Sequence, residues 1–318
     1  MMTTAEEYET LIETFLNDQD VTENSRRAYR WSLRDFFGWI QKNNLLLSAL
    51  NSVDIFNYKK RLIMEPSEHT GKPRTSLTIN AYLRTVKIFY SWASHKGYCK
   101  DIAWGLKNVP VSDSFIKMHL TPQECNAMLD TCKGTNNRTT LRDYAFLKLL
   151  IGTGIREIEA VRANIEDIQV LRGRNILRVQ GKGRTAKDKF VPLMPDILQA
   201  LTEYLTERPL AEPSDPLFPT DGQKSNQRGT RMSPRTAQSI TKKYMRMIGL
   251  DAHEYSGHSL RHTAAVLMIK GGANLYDVQK ALRHANPSTT QKYLKSIEEE
   301  EMLDNPPASI ISATLAKN

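Results

Sequence analysis

Four short segments carry side chains of the kinds that transfer phosphoryl groups. They are Thr153-Gly154-Ile155-Arg156 with Glu159, Gly181-Lys182-Gly183, His258-Ser259-Leu260-Arg261-His262, and His284 followed by Tyr293. Arg156 follows a Gly-Thr-Gly turn at a helix start. A permanently charged, planar fork there lies beside unpaired backbone N–H groups and can seat a phosphate. His258 and Arg261 are three residues apart, so on a helix they project from one face. Lys182 stands between glycines at a hairpin tip, where the backbone can approach a ligand closely. Tyr293 is a candidate nucleophile.

Two arginines, a lysine, two histidines and a tyrosine, with no acidic metal-type cluster among them, suggest phosphoryl transfer without a metal. The arginines would offset charge on the non-bridging oxygens of a pentavalent transition state. Attack by a tyrosine would form a covalent phosphotyrosine and keep the energy of the broken diester for rejoining. A phenol of pKa about 10 needs help to lose its proton, and a nearby histidine suits that task. The leaving 5′ oxygen needs a proton, which a lysine or histidine can give. Each fragment alone also has a plainer reading. Arg156 and Glu159 match a helix-surface ion pair, Lys182 a polar hairpin tip, His258 and His284 core or capping histidines, and Tyr293 a packed ring. His253 and His262 are given no chemical role and read as structural. The occurrence of all the segments in one chain favours the chemical reading.

The elements that must position these residues are mostly helices. Tyr29, Leu33, Phe36, Phe37 and Ile40 share one helix face, and Ile79, Tyr82, Val86, Phe89, Tyr90 and Ala93 another. A shorter basic helix is expected over 54–64. The stretch 107–120 (KNVPVSDSFIKMHL) has no sustained period and reads as an interdomain linker. Beyond it a helix over 141–151 ends at Gly152-Thr153-Gly154, strands are expected over 168–171, 175–180 and 190–193, and 208–232 reads as a surface loop. Helices resume over 195–207, 234–248, 259–270, 274–282 and 289–297.

The 318 residues suffice for two domains, and 40% hydrophobic with 25% charged residues is an ordinary globular balance. No stretch approaches the roughly 20 apolar residues of a membrane span, and the acidic start is unlike a targeting leader. Three cysteines fit a reducing cytoplasm better than a disulfide scaffold or structural zinc site. The net charge is +9, unevenly placed. Residues 1–23 hold seven acids and no Lys or Arg, whereas 24–112 hold 15 Lys and Arg against five acids. A basic body points to a polyanion partner. Arg26, Arg27, Arg30 and Arg34, lying largely off the apolar stripe, together with Lys59, Lys60, Arg84 and Lys87, are the candidates for DNA contact.

In their order, TGIREIE, QGKG, HSLRHTAA and LRHANPSTTQKYL resemble the tyrosine recombinase (phage integrase) family, over essentially the whole chain. The resemblance implies a mainly α fold with a small antiparallel β-sheet. A helical, SAM-like core-binding domain would span 1–108 and a linker 109–120. A mixed α/β catalytic domain would span 121–297, the two domains forming a C-shaped DNA clamp. The tail 298–318, with its apolar segment 308–316 (ASIISATLA), would be exchanged between protomers or fold back on its own domain. By motif, Arg156 resembles the first catalytic arginine and Glu159 its acidic support. Lys182 resembles the hairpin lysine that protonates the leaving oxygen, His258 and Arg261 the HxxR pair, His284 the second histidine, and Tyr293 the nucleophile. The segment 181–190 is longer than the family's common hairpin, and Lys187 and Lys189 remain alternatives for the acid. The chain begins directly at the core-binding domain, which resembles the simpler Xer-like, integron-like or mobile-element recombinases without an arm-binding domain.

The implied activity is site-specific recombination through a 3′-phosphotyrosine and a Holliday junction, for integration, excision or resolution. No cofactor and no metal are implied. The implied partners are double-stranded DNA with short inverted-repeat sites, a homotetramer on the synapsed DNA and an accessory directionality factor, with no membrane. The expected location is cytoplasmic and nucleoid-associated. Two other functions compete: a type IB topoisomerase-like nicking and rejoining enzyme, and a catalytically decayed DNA-binding protein. The apolar tail argues against the first, and the complete set of six chemical residues against the second.

Overall fold

The computed structural model describes residues 4–111, 118–133, 137–181, 186–220, 229–304, 306 and 309. Lys182, and the tail segment 308–316 apart from Ser309, lie outside the described residues. The chain divides into two compact units, Met1–Phe115 and Ile116–Asn318.

The first unit holds α1 (Ala5–Asn17), α2 (Glu23–Lys42), α3 (Ser52–Met64) and α4 (Ser76–His95). Each helix starts at a polar residue, Thr4, Thr22, Asn51 or Thr75, whose side chain accepts a first-turn N–H. These caps satisfy donors that have no partner inside the helix. The two apolar stripes meet: Leu33, Phe36, Phe37 and Ile40 of α2 and Ile79, Val86, Phe89 and Tyr90 of α4 lie in one core. Its filling is rich in aromatic rings, with Phe37 and Phe89 edge to face at 5.5 Å, a favoured ring geometry. Among these rings sits a compensated charge. Asp35 accepts from the Tyr58 hydroxyl at 2.8 Å and from Arg61 at 2.7 Å, so neither ionised group is left unpaired away from water.

The second unit begins with α5 (Pro122–Asp130), α6 (Arg138–Thr153) and α7 (Glu157–Arg162). Strands β1 (Ile168–Leu171), β2 (Arg174–Val179) and β3 (Lys189–Pro192) follow, then α8 (Pro195–Thr206). A short pair, β4 (Pro219–Thr220) and β5 (Thr230–Arg231), precedes α9 (Pro234–Met247), α10 (Gly257–Lys270), α11 (Leu275–Leu282) and α12 (Pro287–Asp304). The β1-β2-β3 sheet is antiparallel, with Leu177 opposite both Ile168 and Val191. α6 packs against α8 and α10, and its buried Phe146, Leu149 and Leu150 join Leu201 and Leu260 in the main core.

Two expectations need correction. The segment 208–232 is not simply a surface loop: it carries β4 and β5, and Arg208, Leu217, Phe218 and Met232 are buried. Arg208 donates to the carbonyls of Pro216 and Leu217 at 2.9 and 3.1 Å, which stitches the turn-rich chain to the core. The last helix does not stop near 297 but runs through the four glutamates to Asp304. Glutamate is a good helix former, and Glu300 pairs with Lys270 of α10 at 2.8 Å. Among the described residues no helix is long and apolar enough to cross a membrane.

Candidate active site

The site is built on the turn between α6 and α7. Gly154 ends α6 with φ +63°, and a Cβ there would lie 2.6 Å from Leu282 Cδ2 and 3.0 Å from the Ala264 Cβ. Glycine is therefore required twice, for the left-handed backbone and for the close approach of α10 and α11. Two residues on, Arg156 caps α7, and Glu159 closes the turn back onto it. Glu159 Oε2 accepts the Arg156 backbone N–H and Oε1 accepts Arg156 Nη1, both at 2.9 Å. This is no surface pair, since Glu159 is 1% exposed. Burial pushes its pKa up, but Arg283, the Arg156 N–H, and the Arg156 and Arg261 charges outweigh burial and hold it below the ordinary carboxylate range.

Arg261 projects from the second turn of α10 and is 4% exposed. Its Nη1 donates to the Gly154 carbonyl at 2.6 Å and its Nη2 to the Leu282 carbonyl. Burial, Arg156 and Arg283 pull its pKa down to about 10 against the pull of Glu159 and Tyr293, so it stays a cation at neutral pH. A guanidinium has five N–H donors, more than the two carbonyls take, and Arg261 also hydrogen-bonds the Tyr293 side chain.

His284 follows α11 and is buried, with Nδ1 2.9 Å from the Thr290 hydroxyl. Burial and the Arg261, Arg156 and Arg283 charges push its pKa down to about 4, so the imidazole is neutral at neutral pH. Tyr293, on α12, has its ring centroid 5.9 Å from that of His284 and 4.9 Å from that of His262. Burial raises the pKa of the phenol, while Arg261 and Arg156 pull it back. The resting hydroxyl is therefore protonated, beside neutral imidazole and two guanidinium groups.

The structure thus brings Arg156, Glu159, Arg261, His284 and Tyr293 together. His258 is exposed on the first turn of α10, one turn before Arg261. Of the lysines on the β2–β3 connection, Lys187 pairs with the buried Asp167 and Lys189 is exposed at the start of β3. In the first unit, Arg30 and Arg34 are bidentate to Glu13 and Glu9 of α1, so they are not simply open to solvent. Arg26 donates to the Gln19 carbonyl, Lys59 to the Lys107 carbonyl and Lys87 to Asn108. Arg27, Lys60 and Arg84 are exposed on the same unit. Among the described residues no group of His, Cys, Asp and Glu is placed to hold a metal ion.

Three residues at the site escaped sequence reasoning. His262 lies against the Tyr293 ring; its place four residues after His258 on one helix is the available signal. Glu157 lays its carboxylate over the start of α10, where a Cβ on Gly257 would lie 2.0 Å from it; it also accepts from the Thr241 hydroxyl at 2.7 Å. A carboxylate there complements the positive end of the helix that carries His258 and Arg261. Arg283 donates to Glu159 Oε2 at 2.7 Å.

The model of the phage integrase family matches residues 118–300. The chain is 30% identical over 291 residues to tyrosine recombinase XerD of Haemophilus influenzae, covering 89% of this chain and 92% of the relative. It is 34% identical over 225 residues to tyrosine recombinase XerC of Corynebacterium glutamicum, covering 70% and 68%. Its fold is similar to that of XerH site-specific recombinase bound to palindromic difH substrate in a post-cleavage complex. The TM-score is 0.71 at 22% identity, over 94% of this chain and 84% of that one. A lambda integrase dimer bound to a COC′ core site is also similar, with TM-score 0.64 at 13% identity over 90% and 76%. The chain belongs to the phage integrase family. It is a tyrosine recombinase, a site-specific DNA breaking and rejoining enzyme.

Proposed function

We propose that Tyr293 is the nucleophile of this recombinase and attacks the scissile phosphate of duplex DNA. The Tyr293 Oη–P bond forms as the P–O5′ bond breaks, leaving a 3′-phosphotyrosine and a 5′ hydroxyl; attack by the partner strand's 5′ hydroxyl then reverses the step and builds a Holliday junction. The observation that carries this reading is the placement of Tyr293 beside two imidazoles and within the field of Arg156 and Arg261. Neutral His284 takes the phenolic proton, directly or through water, and the arginines offset the charge on the non-bridging oxygens. His258, one turn before Arg261, is a further donor to those oxygens. A lysine of the β2–β3 connection protonates the leaving 5′ oxygen. Lys182 is the first candidate, with Lys187 and Lys189 as alternatives. Glu159 holds Arg156 and does not itself touch DNA.

In this reading 1–108 is the core-binding domain, joined through 109–120 to the catalytic domain at 121–297, and both contact duplex DNA. Arg26, Arg27, Arg30, Arg34, Lys59, Lys60, Arg84 and Lys87 supply phosphate contacts from the first. The working assembly is a homotetramer on two short inverted-repeat sites, in the cytoplasm at the nucleoid, with a directionality factor choosing between integration and excision. Of the tail 298–318, the part beyond α12 docks on a neighbouring protomer.

The test is covalent capture. Sheared genomic DNA from the source organism is incubated with wild-type protein and with Tyr293→Phe, denatured, and the protein-linked DNA sequenced. One short, imperfectly inverted repeat enriched by wild type alone is the expected result. Scattered adducts would favour a topoisomerase-like enzyme, and tight binding without adducts a decayed DNA binder.

A further inference from the structure

Arg283, directly after α11, has a left-handed backbone conformation with φ 56°. Glycine takes this conformation freely, whereas any other residue does so at a cost. The side chain nevertheless reaches a residue 124 positions earlier, and with 12% exposure it is largely removed from water. Its Nη2 donates to Glu159 Oε2 at 2.7 Å, and its Nη1 to the Ala281 carbonyl at 3.0 Å. The other Glu159 oxygen holds the Arg156 guanidinium at 2.9 Å.

We propose that Arg283 is a positioning residue for strand cleavage, which fixes the Glu159 carboxylate and through it the Arg156 guanidinium. Both Glu159 oxygens already bond Arg156, Oε2 through the backbone N–H and Oε1 through the guanidinium, but both of those bonds come from one residue on the same turn. Arg283 adds a second, charge-assisted bond at Oε2 from a distant segment, which sets the soft last torsion of the carboxylate against the corner after α11, and the Arg156 fork with it. The same bond ties the corner that carries His284 to the turn that carries Arg156. Two groups that must meet one phosphate are thereby held in register, and a misplacement of about 1 Å can slow such a reaction about 100-fold.

This inference rests on the reading of Arg156 and Tyr293 given above. The experiment follows single-turnover formation of covalent adducts on the sheared genomic DNA for wild type, Arg283→Gly, Glu159→Gln and the double variant. DNA retention and melting temperature are measured alongside. Arg283→Gly is expected to slow adduct formation about tenfold or more, with DNA retention within about twofold of wild type. In the Glu159→Gln background the same change should add less than about twofold, because the pathway through Glu159 is already lost. Arg283→Lys, which keeps a cation, should recover part of the rate. Should Arg283→Gly melt below the assay temperature, Arg283→Gln takes its place in the comparison. An Arg283→Gly protein that cleaves at the wild-type rate, or losses that simply multiply in the double variant, would overturn the role of Arg283. In either case wild-type adducts leave the reading of Tyr293 intact. A wild type that forms no adducts would remove both.

Discussion

The Arg261 guanidinium donates to the Gly154 carbonyl at 2.6 Å, joining α10 to the turn that carries Arg156 across 107 residues of sequence. With its second bond, to the Leu282 carbonyl, one side chain gathers three segments of the site. Arg261→Lys keeps the charge but cannot match the fork geometry. It is expected to lower the unfolding free energy by about 1–3 kcal/mol, the cost of leaving a buried acceptor unmet. Single-turnover cleavage should fall about 100-fold. Urea titration and adduct formation measure the two effects, and a lysine variant with wild-type cleavage would remove Arg261 from the proposed chemistry.

Gly154→Ala tests the turn itself. The added Cβ meets Leu282 at 2.6 Å in a left-handed backbone. About 1 kcal/mol of backbone cost and about 1–3 kcal/mol of overpacking are expected to lower the urea midpoint, together with a loss of cleavage. An unchanged midpoint would mean that α11 can move away freely.

The acidic first helix masks basic groups on the second. Glu9→Gln with Glu13→Gln should release Arg34 and Arg30 with little change in stability, since exposed pairs are worth about 0–1 kcal/mol. If those arginines meet phosphates, the slope of log affinity against log salt should steepen by about two. An unchanged slope would place the DNA contacts of this unit elsewhere.

His284 sets a pH dependence whose sign can be worked out. Its pKa falls from the ordinary 6.5 to about 4, through burial and the Arg261, Arg156 and Arg283 charges, with Glu159 opposing. The unfolded chain binds the proton near 6.5 and the folded chain only near 4. The folded state is therefore penalised progressively as pH falls through that window, and the penalty is absent above it. His284→Asn should flatten the decline in melting temperature between pH 7 and pH 5. His119, also pushed down by burial, would keep part of the slope. An identical decline in the variant would contradict the neutral, buried imidazole.

What the sequence revealed at the site was its short-range grammar. Arg156 and Glu159 share a turn, Arg261 sits one turn from His258, and the apolar stripes of α2 and α4 follow helical spacing. What stayed hidden depends on distant packing. A left-handed arginine is invisible to periodicity, so nothing marked Arg283 or its reach to Glu159. The pairing of Arg30 and Arg34 with α1 arises only when two helices meet. The burial of Leu217 and Phe218 was obscured by turn-forming neighbours, and the helical run of Glu298–Glu301 by a charge density that reads as solvated tail.

In the proposed mechanism one oxygen, Tyr293 Oη, carries the DNA. The most direct measurement is peptide mapping by mass spectrometry of the nuclease-trimmed covalent complex. The expected product is a nucleotide remnant linked through its 3′ phosphate to the peptide containing Tyr293. A remnant on another side chain, such as the exposed Tyr276, or one linked through a 5′ phosphate, would contradict it.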